Sequence, residues 1–313
     1  LVGLEIEREV YVGELSGVRK ALLPILAAVG GMLVPALIHF GLNSGSETQN
    51  GFGIPMATDI AFSLAVLSLL GNKVPVQLKI FLTALAIIDD LGAIIVIALF
   101  YSKGFSIAYF GLAMGLFVLM LVLNRLKVYY VWIYLLIGII MWYCMHQSGI
   151  HATITGVLLA FAVPFGKGDK ISVSYRLQHT LHLPVAFLIL PLFALANTAI
   201  TIPPNVINDL STSNSCGIIY GLLLGKPLGI FVFSFIGIAV GWCTLPHGLK
   251  KRHLLWTGLL AGIGFTMSIF ITLLAFTDAT TINTSKIAII IGSILSAILG
   301  YIGLRFSLKR TKR

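Results

Sequence analysis

Charged side chains are scarce in this chain. Asp, Glu, Lys and Arg make up only 10% of its 313 residues, whereas soluble globular domains carry about 25%. Hydrophobic residues make up 58%, and the mean hydropathy is +1.00. A soluble fold of this length could not cover its surface with so few charges, so the composition excludes a soluble domain and indicates a polytopic membrane protein.

Other signatures are absent from the sequence as well. The three cysteines, Cys144, Cys216 and Cys243, are far apart, so neither a disulfide framework nor a zinc site is predicted. The sequence contains no metal-ligand cluster, no Gly-rich phosphate loop and no nucleotide motif. We therefore expect no cofactor, no nucleic-acid partner and no enzymatic activity.

Long apolar stretches make up most of the chain. A helix needs about 20 apolar residues to cross a bilayer, and ten stretches approach this length. We predict an all-α protein with a single transmembrane domain over residues 1–313 and no soluble domain. The transmembrane domain is expected to begin with the end of an N-terminally truncated span. The ten predicted spans are residues 21–41, 54–70, 80–101, 105–123, 129–146, 149–164, 183–200, 216–241, 254–276 and 287–306.

The basic residues are unequally divided between the loops. One alternate set of loops carries nearly all Lys and Arg, whereas the other set carries only Lys103 and Lys286. The positive-inside rule therefore places residues 5–20 and the C-terminal tail in the cytoplasm. The same rule explains the net charge of +10, because cytoplasmic basic residues set the topology and contact anionic lipid.

Two adjacent aspartates lie in the middle of the apolar stretch at 80–101. A carboxylate at this depth costs at least about 2.5–3.5 kcal/mol, so Asp89 and Asp90 need compensation. A cation, protons or an intramembrane base could supply it, and hydrogen bonds to neighbouring helices are the structural alternative. Ionisable residues inside a membrane usually mark a functional site, and we interpret this pair as one.

Two spans contain residues that interrupt the apolar pattern. In the first, Thr58 and Asp59 follow two glycines and a proline. Asp59 either complements free N–H groups at a broken helix and attracts a cation, or caps a helix at the membrane surface. In the second, Gly262 and Gly264 precede Thr266. Interruptions at corresponding positions of two halves predict an inverted-repeat transporter.

One lysine lies near the middle of the span at 216–241. Lys226 is too deep for its ammonium group to reach the membrane surface easily, so it needs a partner. The candidates are Asp89, Asp90 and the C-terminal carbonyl ends of broken helices. The sequence is compatible both with a structural counter-ion and with a proton carrier.

The oxygen atoms of these residues suit a transported alkali cation. Carboxylate, hydroxyl and freed carbonyl oxygens are hard ligands, and freed carbonyls coordinate Na⁺ in broken transporter helices. Burial also favours the protonated form of a carboxyl group, so one aspartate can hold either a cation such as Na⁺ or Li⁺, or a proton. Such competition, at a site that opens alternately to the two sides, is sufficient for antiport.

Three other functions also place charges in a membrane. A sodium-coupled symporter of organic anions would need a larger polar cavity, and a passive cation channel would need no buried lysine. An intramembrane aspartyl protease has its two aspartates on neighbouring helices, whereas Asp89 and Asp90 are consecutive and about 100° apart on one helix. Antiport is therefore the hypothesis that the residues favour.

Four motifs resemble the NhaA-type sodium/proton antiporters of bacteria. They are ATDIAF at 57–62, AIIDDLGA at 86–93, GKPLG at 225–229 and GIGFTMS at 262–268. Their order matches the family, and the resemblance covers almost the whole chain. It implies an inverted-repeat fold with two interrupted, crossing helices, for which this family is an established example, in the inner membrane of a bacterium.

The resemblance also implies a mechanism. The family exchanges cytoplasmic Na⁺ or Li⁺ for external H⁺, with two protons for each Na⁺, and is activated at alkaline pH. The resemblance also implies membrane lipid and a second copy of the chain, in a homodimer, as partners. Asp90 would be the main ligand of Na⁺ or Li⁺ and a proton carrier, and Asp89 would pair with Lys226 or carry the second proton. Asp59 and Thr58 would lie at the crossing of the interrupted helices, with Asp59 balancing their positive ends.

The resemblance further links the pH response to charges at the cytoplasmic funnel. The matching residues are Glu5, Arg8, Glu9, Arg176, His179 and His182. Gln178 stands where the family usually has an acid, so we expect a difference in pH regulation at this point. His151 matches another histidine linked to the pH response. For His151, His179 and His182, ordinary packed or solvated histidines are the alternative.

Overall fold

The helices described here are those of a computed structural model. It describes residues 1–13, 17–102, 104–166, 168–169, 172–198, 200, 210–246 and 248–309, without the side chains of 18–20 and 309. Over these residues the chain forms helices and connecting turns, with no strand. The prediction of an all-α fold is confirmed.

We number the α-helices of the described residues in chain order. They are α1 Val2–Tyr11, α2 Val18–Leu42, α3 Ile60–Ser68, α4 Val76–Phe100, α5 Ile107–Arg125, α6 Val131–Gln147, α7 Thr153–Ala162, α8 Val173–Asn197, α9 Ser213–Ala239, α10 Lys251–Ala261, α11 Phe265–Ala275 and α12 Ala279–Lys309. A 3₁₀-helical segment, Glu47–Met56, precedes α3, and a short one, Gly71–Lys73, follows it.

Several of these helices are long and apolar enough to cross a membrane. In the described part of the chain there are six, α2, α4, α5, α8, α9 and α12. Two further pairs cross if each counts as one bent span, namely Glu47–Met56 with α3, bent by 43°, and α10 with α11, bent by 53°. These are the two spans for which the sequence predicts an interruption. Helices α6 and α7 have only 17 and 10 residues, so the total of ten spans stays a prediction.

Two long helices contain a π-helical turn. The turns are Val185–Ile189 in α8 and Gly221–Gly225 in α9, and a proline lies two residues beyond each, Pro191 and Pro227. A proline ring clashes with the carbonyl four residues earlier, and in both helices that carbonyl lies inside the π turn. The wider turn therefore accommodates the ring. The second turn ends directly before Lys226, at a position typical of functional sites.

The chain divides into two compact units. One comprises Leu1–Ser16 and Ile94–Leu192, and its core is formed by residues of α5, α6 and α7. The other comprises Gly17–Ala93 and Phe193–Arg313 and contains both interrupted spans. The single transmembrane domain stays a prediction.

Glycines let the helices around Lys226 approach closely. A Cβ atom on Gly229 of α9 would overlap the carbonyl oxygen of Gly30 in α2, and one on Gly258 of α10 would lie 2.8 Å from the Cα atom of Pro227. Membrane helices associate largely through van der Waals contact, so small interface residues bring their backbones together. Helix α9 thus packs against α2 and α10, and the Lys226 side chain is fully buried.

Candidate functional site

The two interruptions contact each other. The first covers residues 57–59, between the 3₁₀ segment and α3, and the second covers residues 262–264, between α10 and α11. Across them, the backbone N–H of Asp59 donates a hydrogen bond to the Ile263 carbonyl at 2.7 Å. The two interrupted, crossing helices predicted from the sequence are therefore confirmed.

One carboxylate serves both helices that begin at this crossing. Asp59 Oδ1 accepts a hydrogen bond from the Phe62 N–H in α3 at 3.2 Å, and Oδ2 accepts one from the Thr266 N–H in α11 at 3.1 Å. The Thr266 hydroxyl also donates to Oδ2. Because each helix N-terminus carries about half a positive charge, Asp59 balances two of them. The residue is thus both a helix cap and a charge at the crossing.

A serine from α12 completes the start of α11. Ser293 Oγ accepts hydrogen bonds from the Gly264 N–H at 3.3 Å and the Phe265 N–H at 3.2 Å. Together with Thr266, three consecutive backbone N–H groups are bonded to side chains. A helix can therefore begin inside the protein at a depth where free N–H groups would be costly.

A buried ion pair lies near the helix end at Met56. Lys226 Nζ is 3.0 Å from Asp89 Oδ2, and both side chains are fully buried. The ammonium group also donates to the carbonyl of Met56, the last residue of the 3₁₀ segment, where carbonyls lack a helical partner. Among the candidate partners of Lys226, the structure thus places Asp89 and one helix end in contact with it.

The two adjacent aspartates have different surroundings. Asp89 contacts Lys226 and also lies 2.7 Å from the Thr58 hydroxyl. Asp90, with 4% of its surface exposed, is rotated about 100° around α4 from its neighbour. The pair therefore presents one carboxylate to a fixed cation and the second to another sector of the helix.

Comparisons with known proteins identify the family of this chain. The family described as Na⁺/H⁺ antiporter 1 matches residues 1–304. This chain belongs to that family. It is 61% identical over 312 residues to Na⁺/H⁺ antiporter NhaA 1 of Flavobacterium johnsoniae, which covers 100% of this chain and 82% of the relative. It is 58% identical over 309 residues to NhaA of Cytophaga hutchinsonii, with 99% and 80% covered.

A more distant relative is also similar over nearly the whole chain. NhaA of Citrobacter koseri is 48% identical over 308 residues, with 97% of this chain and 79% of the relative covered. The resemblance indicated by the four motifs is therefore confirmed. So is the prediction of a transporter and not an enzyme, because the members of this family are antiporters.

In this antiporter-family chain, α1 and α8 bring several pH-response candidates together. The Arg8 guanidinium carbon lies 5.1 Å from the centre of the Tyr175 ring, and Nη1 donates to Gln178 Oε1 at 3.5 Å. His179 stacks on the same ring at 6.2 Å. The position that departs from the family pattern, Gln178, is thus a direct partner of Arg8.

The remaining candidates are distributed more widely in the same unit. Glu5 and Glu9 are half-buried on α1, whereas Arg176 and His182 are exposed on α8. His151 is half-buried directly before α7, and its carbonyl accepts a hydrogen bond from the Ile154 N–H at 3.1 Å. Whether these residues respond to pH stays a prediction.

One acidic residue in α1 was not predicted from the sequence. Glu7 is 3% exposed, and its Oε2 accepts a hydrogen bond from Ser174 Oγ of α8 at 3.1 Å. Burial raises the pKa of Glu7 from 4.5 to about 7. Glu7 follows Gly3 by four residues and Leu4 by three, and both are buried, so helical spacing places it on the buried face of α1.

Resident metal sites are not apparent in the part of the chain that the structure describes. It contains no group of three or more His, Cys, Asp or Glu side chains that could hold a metal ion. A transported ion is cargo and not a resident metal, so the lack of such a group does not exclude a transport site.

Proposed function

We propose that this protein exchanges cytoplasmic Na⁺ or Li⁺ for external H⁺ by alternating access, electrogenically, with two protons for each Na⁺. The observation that carries the proposal is the buried Asp89–Lys226 ion pair, beside Asp90 and in contact with the crossing through Thr58. Charges inside a membrane are costly and are kept mainly where transport needs them. Relatives named Na⁺/H⁺ antiporter align with nearly the whole chain.

Asp90 is the carboxylate that we assign to the transported cation. It is nearly buried and lies directly beside the buried Asp89–Lys226 ion pair on α4. A carboxylate in such surroundings is stabilised by binding either a cation or a proton. Na⁺ or Li⁺ arriving from the cytoplasm displaces protons there, and protons from outside displace the cation after the site has opened to that side.

The charges at the crossing favour two protons for each Na⁺. Asp59 balances two helix N-termini of about +0.5 each, and we assign the positive charge of Lys226 to the two C-terminal ends of about −0.5 each, of which it contacts the one at Met56. The negative charges of Asp89 and Asp90 are then in excess. Two protons neutralise them, whereas one Na⁺ leaves one negative charge. The exchange therefore moves net charge across the membrane.

Thr58 connects Asp89 with the crossing. Its hydroxyl lies 2.7 Å from Asp89 Oδ2 and 2.9 Å from the Ala261 carbonyl oxygen, yet a hydroxyl has one proton and donates to one acceptor at a time. When Asp89 is charged, its carboxylate accepts the hydrogen bond from Thr58. Protonated Asp89 instead donates to Thr58, which then donates to Ala261 at the end of α10. Protonation is thereby coupled to the helix end.

Proton movement in proteoliposomes tests the proposal. Vesicles with an acidic interior and an internal pH dye receive external Na⁺, Li⁺ or choline, with valinomycin and K⁺ to clamp the membrane potential. Antiport makes the interior more alkaline with Na⁺ or Li⁺ but not with choline, and an electrogenic cycle is faster under the clamp. If no Na⁺-dependent signal occurs from mildly acidic to alkaline pH, the symport of an organic anion replaces this proposal.

We propose the inner membrane of a bacterium as the location, with the C-terminus in the cytoplasm and a homodimer as the working assembly. Basic residues of the cytoplasmic loops would contact anionic lipid. Lys103, one of two basic residues assigned to the outer side, and the tail residues 310–313 lie outside the described residues. A reporter enzyme that is active only in the cytoplasm, fused after Arg313, tests the orientation.

We assign the activation of transport at alkaline pH to deprotonation of Glu7. The pKa of Glu7 is raised by burial to about 7, so the folded protein binds this proton more tightly than the unfolded chain. The α1–α8 contact is then most stable in acid and loses stability as the pH rises toward about 7. Deprotonation loosens the contact, and we assign the activation to that loosening.

Glu7→Gln is therefore expected to require a more alkaline pH for activation. Glutamine keeps the shape and the bond to Ser174 but cannot ionise, so the α1–α8 contact persists where the wild type loosens. We expect the midpoint of activation to rise by at least about half a pH unit. The measurement is the rate of Na⁺-dependent proton movement across the pH range. Exposed Glu47→Gln is the control, and an unchanged midpoint in Glu7→Gln would rule out this role.

A further inference from the structure

Two buried serines join the interrupted helices reciprocally. Ser63 in α3 donates its hydroxyl proton to the Leu260 carbonyl of α10 at 2.8 Å. Ser268 in α11 donates to the Ile54 carbonyl of the 3₁₀ segment at 2.7 Å. Both serines are fully buried. Each helix that begins at the crossing is thus bonded to the segment that precedes the other break.

The two bonds are equivalent in position. Ser63 follows Asp59 by four residues, and Ser268 follows Gly264 by four, so each hydroxyl lies one helical turn beyond its break. Each acceptor is in the last residues before the opposite break, and the Leu260 carbonyl also accepts a hydrogen bond from the Ile263 N–H at 3.1 Å. Leu260 and Ile54 are themselves fully buried, so water is not available to replace the hydroxyls.

The same segments carry the contacts of the proposed ion site. Ala261, directly after Leu260, is the residue whose carbonyl lies near the Thr58 hydroxyl, and Thr58 contacts Asp89. Met56, two residues after Ile54, accepts the bond from Lys226. A shift of either segment would therefore displace the partners of Asp89.

We infer that Ser63 and Ser268 are positioning residues that hold the two breaks in register and thereby set the affinity for the transported cation. This inference rests on the proposed function. The serines do not touch the cation and act through Thr58 and Lys226. Removal of either hydroxyl breaks a buried hydrogen bond between the two breaks, and the segments that it joined can shift relative to each other. The ligands of the cation are then less well arranged, and the cation binds more weakly.

Serine-to-alanine variants test the inference. We expect Ser63→Ala and Ser268→Ala each to raise the Na⁺ concentration for half-maximal exchange about five- to tenfold, as expected for the loss of one buried hydrogen bond, with the maximal rate within about twofold. Threonine variants, which keep the hydroxyl, should restore the affinity. Cysteine variants have a weaker donor and should fall between. Both positions should lose affinity, because each bond joins one break to the segment before the other.

Ser234 is the matched control. It is fully buried in α9, and its hydroxyl has no hydrogen-bond partner among the described residues. Ser234→Ala therefore removes a buried hydroxyl without breaking a bond, and its Na⁺ affinity should stay at the wild-type value. Thermal unfolding of every purified variant is measured in parallel, and where an alanine variant does not yield folded protein the cysteine variant carries the test.

The outcomes separate this inference from the proposed function. If the wild type shows no Na⁺-dependent proton movement, the proposed function fails. If the wild type is active but Ser63→Ala and Ser268→Ala keep its half-saturating Na⁺ concentration, the inference is wrong. A lower melting temperature with unchanged affinity would limit the serines to a structural role and would also overturn the inference. Weaker affinity at both positions, rescued by threonine, supports it.

Discussion

Asp90→Asn is expected to abolish Na⁺-dependent proton movement while the protein stays folded. Asparagine has nearly the same shape as aspartate, but it carries no charge and cannot take up a proton. The site then loses both its cation ligand and its proton carrier. The loss of a charged ligand at a buried site costs several kcal/mol, and each 1.4 kcal/mol is a factor of ten, so we expect the rate to fall by at least about 100-fold.

The measurement is the proteoliposome assay with Na⁺ and with Li⁺, together with binding of either cation to detergent-purified protein. Asp278→Asn is the matched control. Asp278 lies outside the spans and is exposed, and it accepts bonds from the Thr281 N–H at 2.7 Å and hydroxyl at 2.8 Å, which asparagine can also accept. Full rate and affinity in Asp90→Asn would place the cation elsewhere, with Asp89 as the next candidate.

The interruptions could be predicted because their residues contradict the surrounding pattern. A proline, several glycines and Asp59 within apolar spans are tolerated only where protein or water satisfies the backbone, and the breaks at 57–59 and 262–264 lie where these residues occur. Their contact was expected from the family resemblance. The hydrogen bonds that make it, such as that from Asp59 to Ile263, depend on segments about 200 residues apart and required the structure.

The partner of Lys226 shows where sequence reasoning stops. Asp89, Asp90 and the helix ends were all candidates, since consecutive residues differ only by about 100° around a helix axis. Which carboxylate faces the lysine depends on the rotation of α4 against α9, which packing determines. The π turn before Lys226 shifts that rotation as well. No local pattern in the chain reports either quantity.

Helix ends and buried polar residues were missed for a different reason. The span predicted at 183–200 belongs to a helix that begins at Val173, and the span at 287–306 to one that begins at Ala279. Apolar windows report the part of a helix in contact with lipid or core, whereas helices continue into polar sequence. Glu7 and Ser63 lie in ordinary helical positions, so only their burial reveals them.

Lys226→Met is expected to destabilise the protein by about 3–5 kcal/mol, because it leaves the buried Asp89 carboxylate without its counter-charge. The wild-type pair has an Nζ–Oδ2 distance of 3.0 Å, with neither side chain exposed. The double variant Asp89→Asn/Lys226→Met removes both charges and should recover most of the stability, since neutral replacement of a buried pair is often harmless. Neither variant should transport at the wild-type rate.

Thermal unfolding of the detergent-purified protein measures these differences, with exposed Lys79→Met as the control for loss of a lysine.

Repeating the measurement across pH separates the two roles left open for Asp89. At acidic pH a proton can remove the charge of Asp89, so the destabilisation by Lys226→Met should be smallest there and grow as the pH rises. A penalty that is large at every pH assigns Asp89 to structural pairing and leaves Lys226 as the carrier of the second proton. A penalty that vanishes in acid shows that Asp89 can take up a proton in the folded variant, which the carrier of the second proton must be able to do. A stable Lys226→Met protein at every pH would contradict the pairing itself.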